Sequence, residues 1–235
     1  MNASYPYSVV LFDLDGTIAD SAPGITSTLA STLAQLGYAV PSPAQLLEWV
    51  GPPLPASFTE KVGLTGDALA EAMRVYRKQY LAVGALDSTV FPGMADVLRR
   101  VHEAGIPSSL ATSKPERPAT LMLDHNHLTQ YLDLITGASD DEVRSAKADV
   151  VEEALLRLRA LGVDLSRPVL IGDRHHDIEG AAAHGVPTIF VEWGYGSTSE
   201  QAGAVAVAAD TDELLELLGL GAADSEGLAS EARSA

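Results

Sequence analysis

Four consecutive apolar residues, Val9-Val10-Leu11-Phe12, run directly into Asp13-Leu14-Asp15-Gly16-Thr17-Ile18, and few backbones accommodate that juxtaposition. A short strand that is apolar on both faces belongs inside a parallel sheet covered by helices above and below. Here it ends in two carboxylates two positions apart, followed by glycine. In an open α/β sheet, ligands bind in the crevice beyond the carboxyl ends of the strands, so Asp13 and Asp15 are expected at a site. Closely spaced negative charge at a buried strand end calls for a compensating cation, and a hard divalent ion with oxygen ligands supplies one. Gly16 permits a sharp turn that brings backbone N–H groups towards an anion. An Asp-Gly pair also ends many strands as an ordinary turn, so the motifs downstream decide between the two readings.

Beyond Thr17 the strand signal disappears. Ile25, Leu29, Leu33 and Leu36 recur at helical spacing up to Gly37, and further helices are expected around Pro43–Val50 and Asp67–Val83, separated by Gly51-Pro52-Pro53. From Gly93 onward helix and strand alternate: helix Gly93–Ala104, strand Pro107–Ala111, helix Pro115–His125, strand Leu132–Thr136, helix Lys147–Leu161, strand Pro168–Ile171, helix Ile178–His184 and strand Thr188–Val191. Such alternation specifies an α/β fold, a Rossmann-like parallel sheet with right-handed crossovers. The expected organisation is a core of residues 1–20 and 89–218, a small helical insertion at 21–88, and a disordered Ala/Ser/Glu/Gly tail at 219–235.

Composition narrows the chemistry. The chain has 235 residues, 46% of them hydrophobic, which is enough for a substantial core. It has no cysteine, which excludes disulfides, thiolate metal sites and a cysteine nucleophile. A formal charge of −17 argues against a nucleic acid polymer as partner, and any anion site has to be made locally attractive by a metal and a few Lys or Arg. No apolar run approaches a membrane span, and the N-terminal residues lack a basic leader pattern; a soluble, cytoplasmic protein without a membrane partner is expected. Monomer and homodimer both remain open.

Three further groups of chemically capable residues fall just after strands or at helix starts. Thr112-Ser113-Lys114-Pro115 offers hydroxyls and backbone N–H groups ahead of a helix, which makes either an anion site or a plain helix cap. Gly172-Asp173-Arg174-His175-His176-Asp177-Ile178 carries two carboxylates four residues apart, with Asp177 also suited to capping a helix. Lys147 opens a helix, where a cation opposes the macrodipole; it is either functional or an ordinary solvated lysine. Asp13, Asp15, Asp173 and Asp177 on one crevice would repel one another without compensation, for which bound Mg²⁺ is the simplest source. His125 and His127 read as a surface loop, and His175-His176 as filling of the acidic turn. Neither G-x-x-x-x-G-K-[ST] nor G-x-S-x-G occurs.

The four groups in this order resemble the haloacid dehalogenase superfamily of aspartate-nucleophile phosphotransferases, with the likeness running from Ser8 to Leu217. Ala111–Glu116 and Gly172–Ile178 look most similar to the phosphoglycolate phosphatase-like and 5′-nucleotidase-like hydrolases, which carry a helical cap after the first motif. The resemblance implies that Asp13 is the nucleophile and a Mg²⁺ ligand, and that Asp15 is the general acid and base with its carbonyl on the metal. It further implies that Thr112 and Lys147 bind the phosphoryl group, that Asp173 is a metal ligand, and that Asp177 is a ligand through water or a partner of Lys147. Gly16, Thr17, Ser113 and Lys114 join Thr112 at substrate-binding positions. Because Asp15 supplies an acid that a halide leaving group does not need, phosphatase action on a small phosphorylated metabolite is expected, with 2-phosphoglycolate first. A 5′-nucleotidase, a pyrophosphatase, a sugar phosphomutase or a catalytically silent module are the alternatives. The resemblance also implies that the helical insertion closes over the site, hinging near Asp20–Ala22 and Asp87–Val90. Within it, Trp49–Pro53 is the candidate leaving-group loop, and Lys61, Arg74, Arg77 and Lys78 are either substrate contacts or a solvated helix face.

Overall fold

In the computed structural model, which describes residues 5–141 and 143–221, the apolar tetrad forms strand β1 (Val9–Phe12) and is wholly buried. The chain continues through β2 (Ala19–Asp20) into helices α1 (Ala22–Gln35), α2 (Pro43–Leu47), α3 (Leu54–Val62) and α4 (Gly66–Ala82), and returns through β3 (Thr89–Val90). There follow α5 (Met94–Glu103), β4 (Ser108–Pro115), α6 (Glu116–His125), β5 (Leu134–Ala138), α7 (Lys147–Ala160), β6 (Pro168–Gly172) and α8 (His175–Ala182). The last elements are β7 (Thr188–Val191), β8 (Ala206–Ala208) and α9 (Thr211–Leu217).

The sheet is parallel, in the order β5-β4-β1-β6-β7-β8. Its central strand shows why the run at 9–12 has no polar member. Val10 and Phe12 point into an apolar cluster with Met94, Val97 and Leu98 of α5 and Leu214 of α9, while Val9 and Leu11 point the other way onto Val150, Val151, Ala154 and Leu158 of α7. The chain leaves β1 towards β4 and β5, then crosses back to β6 on its other side, so the direction of winding reverses beside β1. That reversal opens the crevice into which the end of β1 delivers its carboxylates.

Helices α1 to α4 have an apolar cluster of their own, with Leu29, Leu33, Trp49, Phe58 and Tyr76 in its interior. Trp49 and Phe58 meet edge to face at 5.2 Å between ring centroids, a favoured aromatic geometry. Both chain crossings into this layer run through the antiparallel β2–β3 pair, in which Ala19 faces Val90 and Asp20 faces Thr89.

Several elements differ from expectation for identifiable reasons. The helix expected at Pro43–Val50 stops at Leu47, and a separate α3 follows the Gly-Pro-Pro break. Leu54, Phe58 and Val62 recur there at helical spacing, but the helix is only nine residues long and of these only Phe58 is fully buried. Strand β4 runs on to Pro115 through an irregularity between Thr112 and Pro115, which moves the start of α6 to Glu116. Helix α8 starts at His175 instead of Ile178, because the Asp177 carboxylate reaches back to the N–H groups of Asp173 and Arg174 and caps the first turn. Gly219–Gly221 stay on the body, where Leu220 packs against the core; the remainder of the expected tail lies outside the described residues.

Phe58→Ala removes the ring from a closed apolar site and is expected to destabilise the protein by about 3–5 kcal/mol, read as a lower denaturation midpoint in urea.

Candidate active site

Strand β1 places Asp13 at its end, β6 places Asp173 at its own, and the first turns of α7 and α8 add Lys147 and Asp177. All four side chains are buried. Oxygens of Asp13, Asp173 and Asp177 lie within 4.8 Å of one another. The Lys147 ammonium sits 2.5 Å from Asp13 Oδ1 and 2.7 Å from Asp177 Oδ1, and donates to the Ala111 carbonyl at 2.9 Å. Those acceptors explain a cation at the wrong end of a helix: local charge outweighs an opposed macrodipole. Asp173 accepts from the Tyr195 N–H at 2.7 Å on one oxygen and from the Thr17 hydroxyl at 3.3 Å on the other.

Three buried carboxylates against one ammonium leave the cluster short of positive charge. Burial lifts Asp13 to about 6; Lys147 opposes the rise, while Asp177 and Asp15 add to it. Asp173 is raised as well, by burial first and then by Asp177 and Asp13. Burial pulls Lys147 down, but Asp13 and Asp177 outweigh it and hold the ammonium above the ordinary lysine range. A set of hard oxygen donors with unmet negative charge fits Mg²⁺, with Asp13, Asp173 and Asp177 as the residues to hold it.

Asp15 turns away from this cluster. Both its oxygens accept from Lys114 Nζ at 2.8 Å, and Oδ1 also accepts from the Ser21 hydroxyl at 2.5 Å. Ser21 occupies the N-cap position of α1 yet makes no capping bond, because its hydroxyl is given to Asp15. Lys114, expected beside an anion, is thus committed to Asp15, with its ammonium 4.9 Å from the centre of the Tyr80 ring. Thr17, expected at a substrate-binding position, gives its hydroxyl to Asp173. Thr112 is buried and accepts from the Lys114 N–H at 3.3 Å, while Ser113 is half-buried and lines a cavity between the helical layer and the core. Gly16 has φ +88, and a Cβ there would collide with the Asp173 carboxylate, so the loop admits only glycine.

Trp193-Gly194-Tyr195 went unread in the sequence and contributes to the site. The Tyr195 hydroxyl accepts from the N–H groups of Ser21 (2.8 Å) and Ala22 (3.0 Å) and donates to Asp20 (2.8 Å), while its own N–H holds Asp173. One residue therefore joins the cluster to the start of the helical layer. Trp193 Nε1 donates to the Thr17 carbonyl at 3.0 Å. A glycine–aromatic–glycine string, Gly194-Tyr195-Gly196, two residues beyond the end of a buried strand was the available signal. Arg174 spans the same boundary on the other side, from Glu200 (2.9 Å) to the carbonyl of Val50 (2.9 Å). His175 Nδ1 also meets Glu200, at 2.7 Å; despite partial burial, His175 and Arg174 pull that carboxyl down to about 2. His125 and His127 join no cluster of metal-ligating groups among the described residues. Arg77 lines the cavity, whereas Lys61 and Arg74 pair on the surface with Glu48 and Glu71.

Two outcomes follow from these contacts. Tyr195→Phe leaves two backbone donors and Asp20 without their partner and is expected to cost about 1–3 kcal/mol in urea unfolding. Asp13 holds its proton more tightly folded than unfolded, so its contribution to the metal-free protein is full below about pH 4 and is lost as pH rises through about 6. Mg²⁺ is therefore expected to raise the melting temperature more at about pH 7.5 than at about pH 5, where protons compete for the carboxylates; an equal rise at both would contradict the assignment.

The description "haloacid dehalogenase-like hydrolase" matches residues 10–191. The chain is 40% identical over 216 residues to a protein of Mycobacterium tuberculosis named tyrosine-protein kinase PtkA, covering 90% of this chain and 72% of that one. It is 33% identical over 199 residues to a 5′-nucleotidase of Pseudomonas aeruginosa, covering 85% and 89%. Among solved structures, a predicted phosphatase from Clostridium acetobutylicum superposes with a TM-score of 0.83 at 35% identity, over 89% of this chain and 97% of that one. With its parallel sheet and its carboxylates at the sheet's switch point, the chain belongs to the haloacid dehalogenase-like hydrolases, among phosphatase relatives.

Proposed function

We propose that the protein is a Mg²⁺-dependent phosphomonoesterase that works through an aspartyl-phosphate on Asp13. The observation that carries this reading is the juxtaposition of Asp13, Lys147, Asp173 and Asp177 at the end of β1, with Asp15 turned away from the cluster. Asp13 Oδ attacks phosphorus and the bond from phosphorus to the leaving oxygen breaks, while Asp15 delivers a proton to that oxygen. Asp15 then takes a proton from water, which attacks the phosphorus, releases phosphate and restores Asp13. Lys147 holds Asp13 in place and, with the N–H groups of the loop and the Thr112 hydroxyl, meets charge on the equatorial oxygens. Bound at Asp13, Asp173 and Asp177, the metal supplies Lewis acidity towards the phosphoryl oxygens. Both Asp15 oxygens accept hydrogen bonds from Lys114 and Ser21, so a proton bound for the leaving oxygen displaces one of these contacts.

In this reading residues 21–88 are a cap that closes over the reacting centre, and Tyr195 and Arg174 carry contacts between cap and core. The leaving groups suggested by relatives are glycolate and a nucleoside. Likeness to a protein named as a tyrosine kinase favours a second reading, in which the phosphoryl group on Asp13 passes to a hydroxyl instead of water.

Asp13→Asn is expected to reduce Mg²⁺-dependent phosphate release at least about a thousandfold with an unchanged far-UV spectrum, and EDTA to abolish it in the parent protein. A hydroxylamine-labile phosphoprotein should accumulate briefly in the parent and not in the variant. Retained turnover in Asp13→Asn refutes the nucleophile; label passing from the intermediate to a protein hydroxyl favours the second reading.

A further inference from the structure

The cavity that begins at Asp15 and Lys114 holds about 250 Å³, and its walls differ sharply from its two ends. On the cap side it is lined by Ile25, Trp49, Leu54, Met73, Tyr76 and Tyr80, and on the core side by Pro115 and Pro118. Tyr76 and Tyr80 stack with ring centroids 5.4 Å apart and planes 10° from parallel. The inner cation, Lys114, already shares its ammonium between the two Asp15 oxygens. The other charged liners, Arg77, Arg117 and Asp140, are exposed and therefore belong to the solvent end.

We propose that the ester this site accepts has a leaving group carrying a planar aromatic or heteroaromatic ring, seated between these walls; this rests on the phosphomonoesterase reading above. The cavity approaches the lower end of the roughly 300–1,000 Å³ range of small-molecule sites. Glycolate would leave most of it to water against apolar walls. A sugar with no aromatic ring attached would set only hydroxyls against Ile, Leu, Met and Pro, which have nothing to exchange for the lost water. A flat ring matches what is there: tyrosine and tryptophan surfaces, proline faces and a methionine sulfur. The Tyr80 hydroxyl is buried and has no hydrogen-bond partner among the described residues, so the face that Tyr80 gives the cavity is its ring. The charged rim suits polar atoms on the far edge of a ring, as on a nucleobase, while a plain aryl group would use the walls alone.

The test compares benzyl phosphate, adenosine 5′-monophosphate, glycerol 3-phosphate and 2-phosphoglycolate, all of them esters of aliphatic alcohols, so intrinsic reactivity does not favour the ring. Phosphate release with Mg²⁺ is measured for the parent protein, and binding of the same four esters with Mg²⁺ is measured by calorimetry for Asp13→Asn. The expected result is kcat/KM, or affinity, at least about tenfold higher for one or both ring esters than for the other two. A preference for adenosine 5′-monophosphate over benzyl phosphate identifies the nucleoside class, and the converse the aryl class. Tyr76→Leu is expected to shrink the ratio of the preferred ring ester to 2-phosphoglycolate. Turnover that is equal across the four, or best with 2-phosphoglycolate or glycerol 3-phosphate, overturns the ring proposal and leaves the phosphatase reading standing. Ring-selective binding without release from any ester keeps the ring proposal and removes the phosphatase reading. Absence of both release and ring-selective binding overturns the proposal.

Discussion

Everything around the site is arranged about one buried ammonium. Lys147 reaches from the first turn of α7 to Asp13 and Asp177, and these two carboxylates come from opposite ends of the sequence. Without that cation, Asp13, Asp173 and Asp177 would be held together in a low-dielectric crevice with only hydrogen-bond donors and the more distant Arg174 to oppose their repulsion. The packing answers to it: a Cβ at Gly180 would stand 2.6 Å from Lys147 Cγ, so α8 can approach α7 closely only with glycine at that position. One lysine does not neutralise three carboxylates: burial first, and then the neighbouring carboxylates, raise both Asp13 and Asp173.

The site is also where core and cap are tied together. Tyr195 holds Asp173 through its backbone and the Asp20–Ala22 segment through its hydroxyl, and Arg174, next to Asp173, reaches the Val50 carbonyl in the cap. Lys114 leaves β4 to hold Asp15 and lies against Tyr80 of α4. Each tie uses a residue that neighbours a carboxylate of the site in the chain or bonds to one directly, so the helical layer and the acidic cluster are held by the same short segments.

Legibility in the sequence followed the physical range of each signal. The strand at 9–12 and the strand–helix alternation after Gly93 were readable because burial on both faces of a sheet imposes long apolar runs and glycine stops. Asp13, Asp15, Lys147 and Asp173 stood out because charge at a buried strand end or against a helix dipole is costly unless a partner compensates it, and Asp177 by its place four residues after Asp173. Helix α3 carries its apolar period on just three residues, Leu54, Phe58 and Val62, directly after a Gly-Pro-Pro break, too short a run to stand out from a loop. Helix α8 began early because of a cap formed by Asp177 itself, a residue read mainly for its chemistry. Thr17 and Lys114 had the form of anion binders; only their partners show otherwise.

The sequence by itself determined the class of fold, the strand ends where charge collects and the residue types at the site, since each of these depends on neighbours a few positions away or on a repeating period. Tertiary structure decided which groups share a proton, a cation or a hydrogen bond. Lys147 meets Asp13 across 134 positions of chain, Lys114 meets Asp15 across 99 and Tyr195 meets Asp20 across 175. Such pairs are created by the winding of the sheet and the placement of the cap upon it, and no local pattern encodes the distance at which two side chains finally stand.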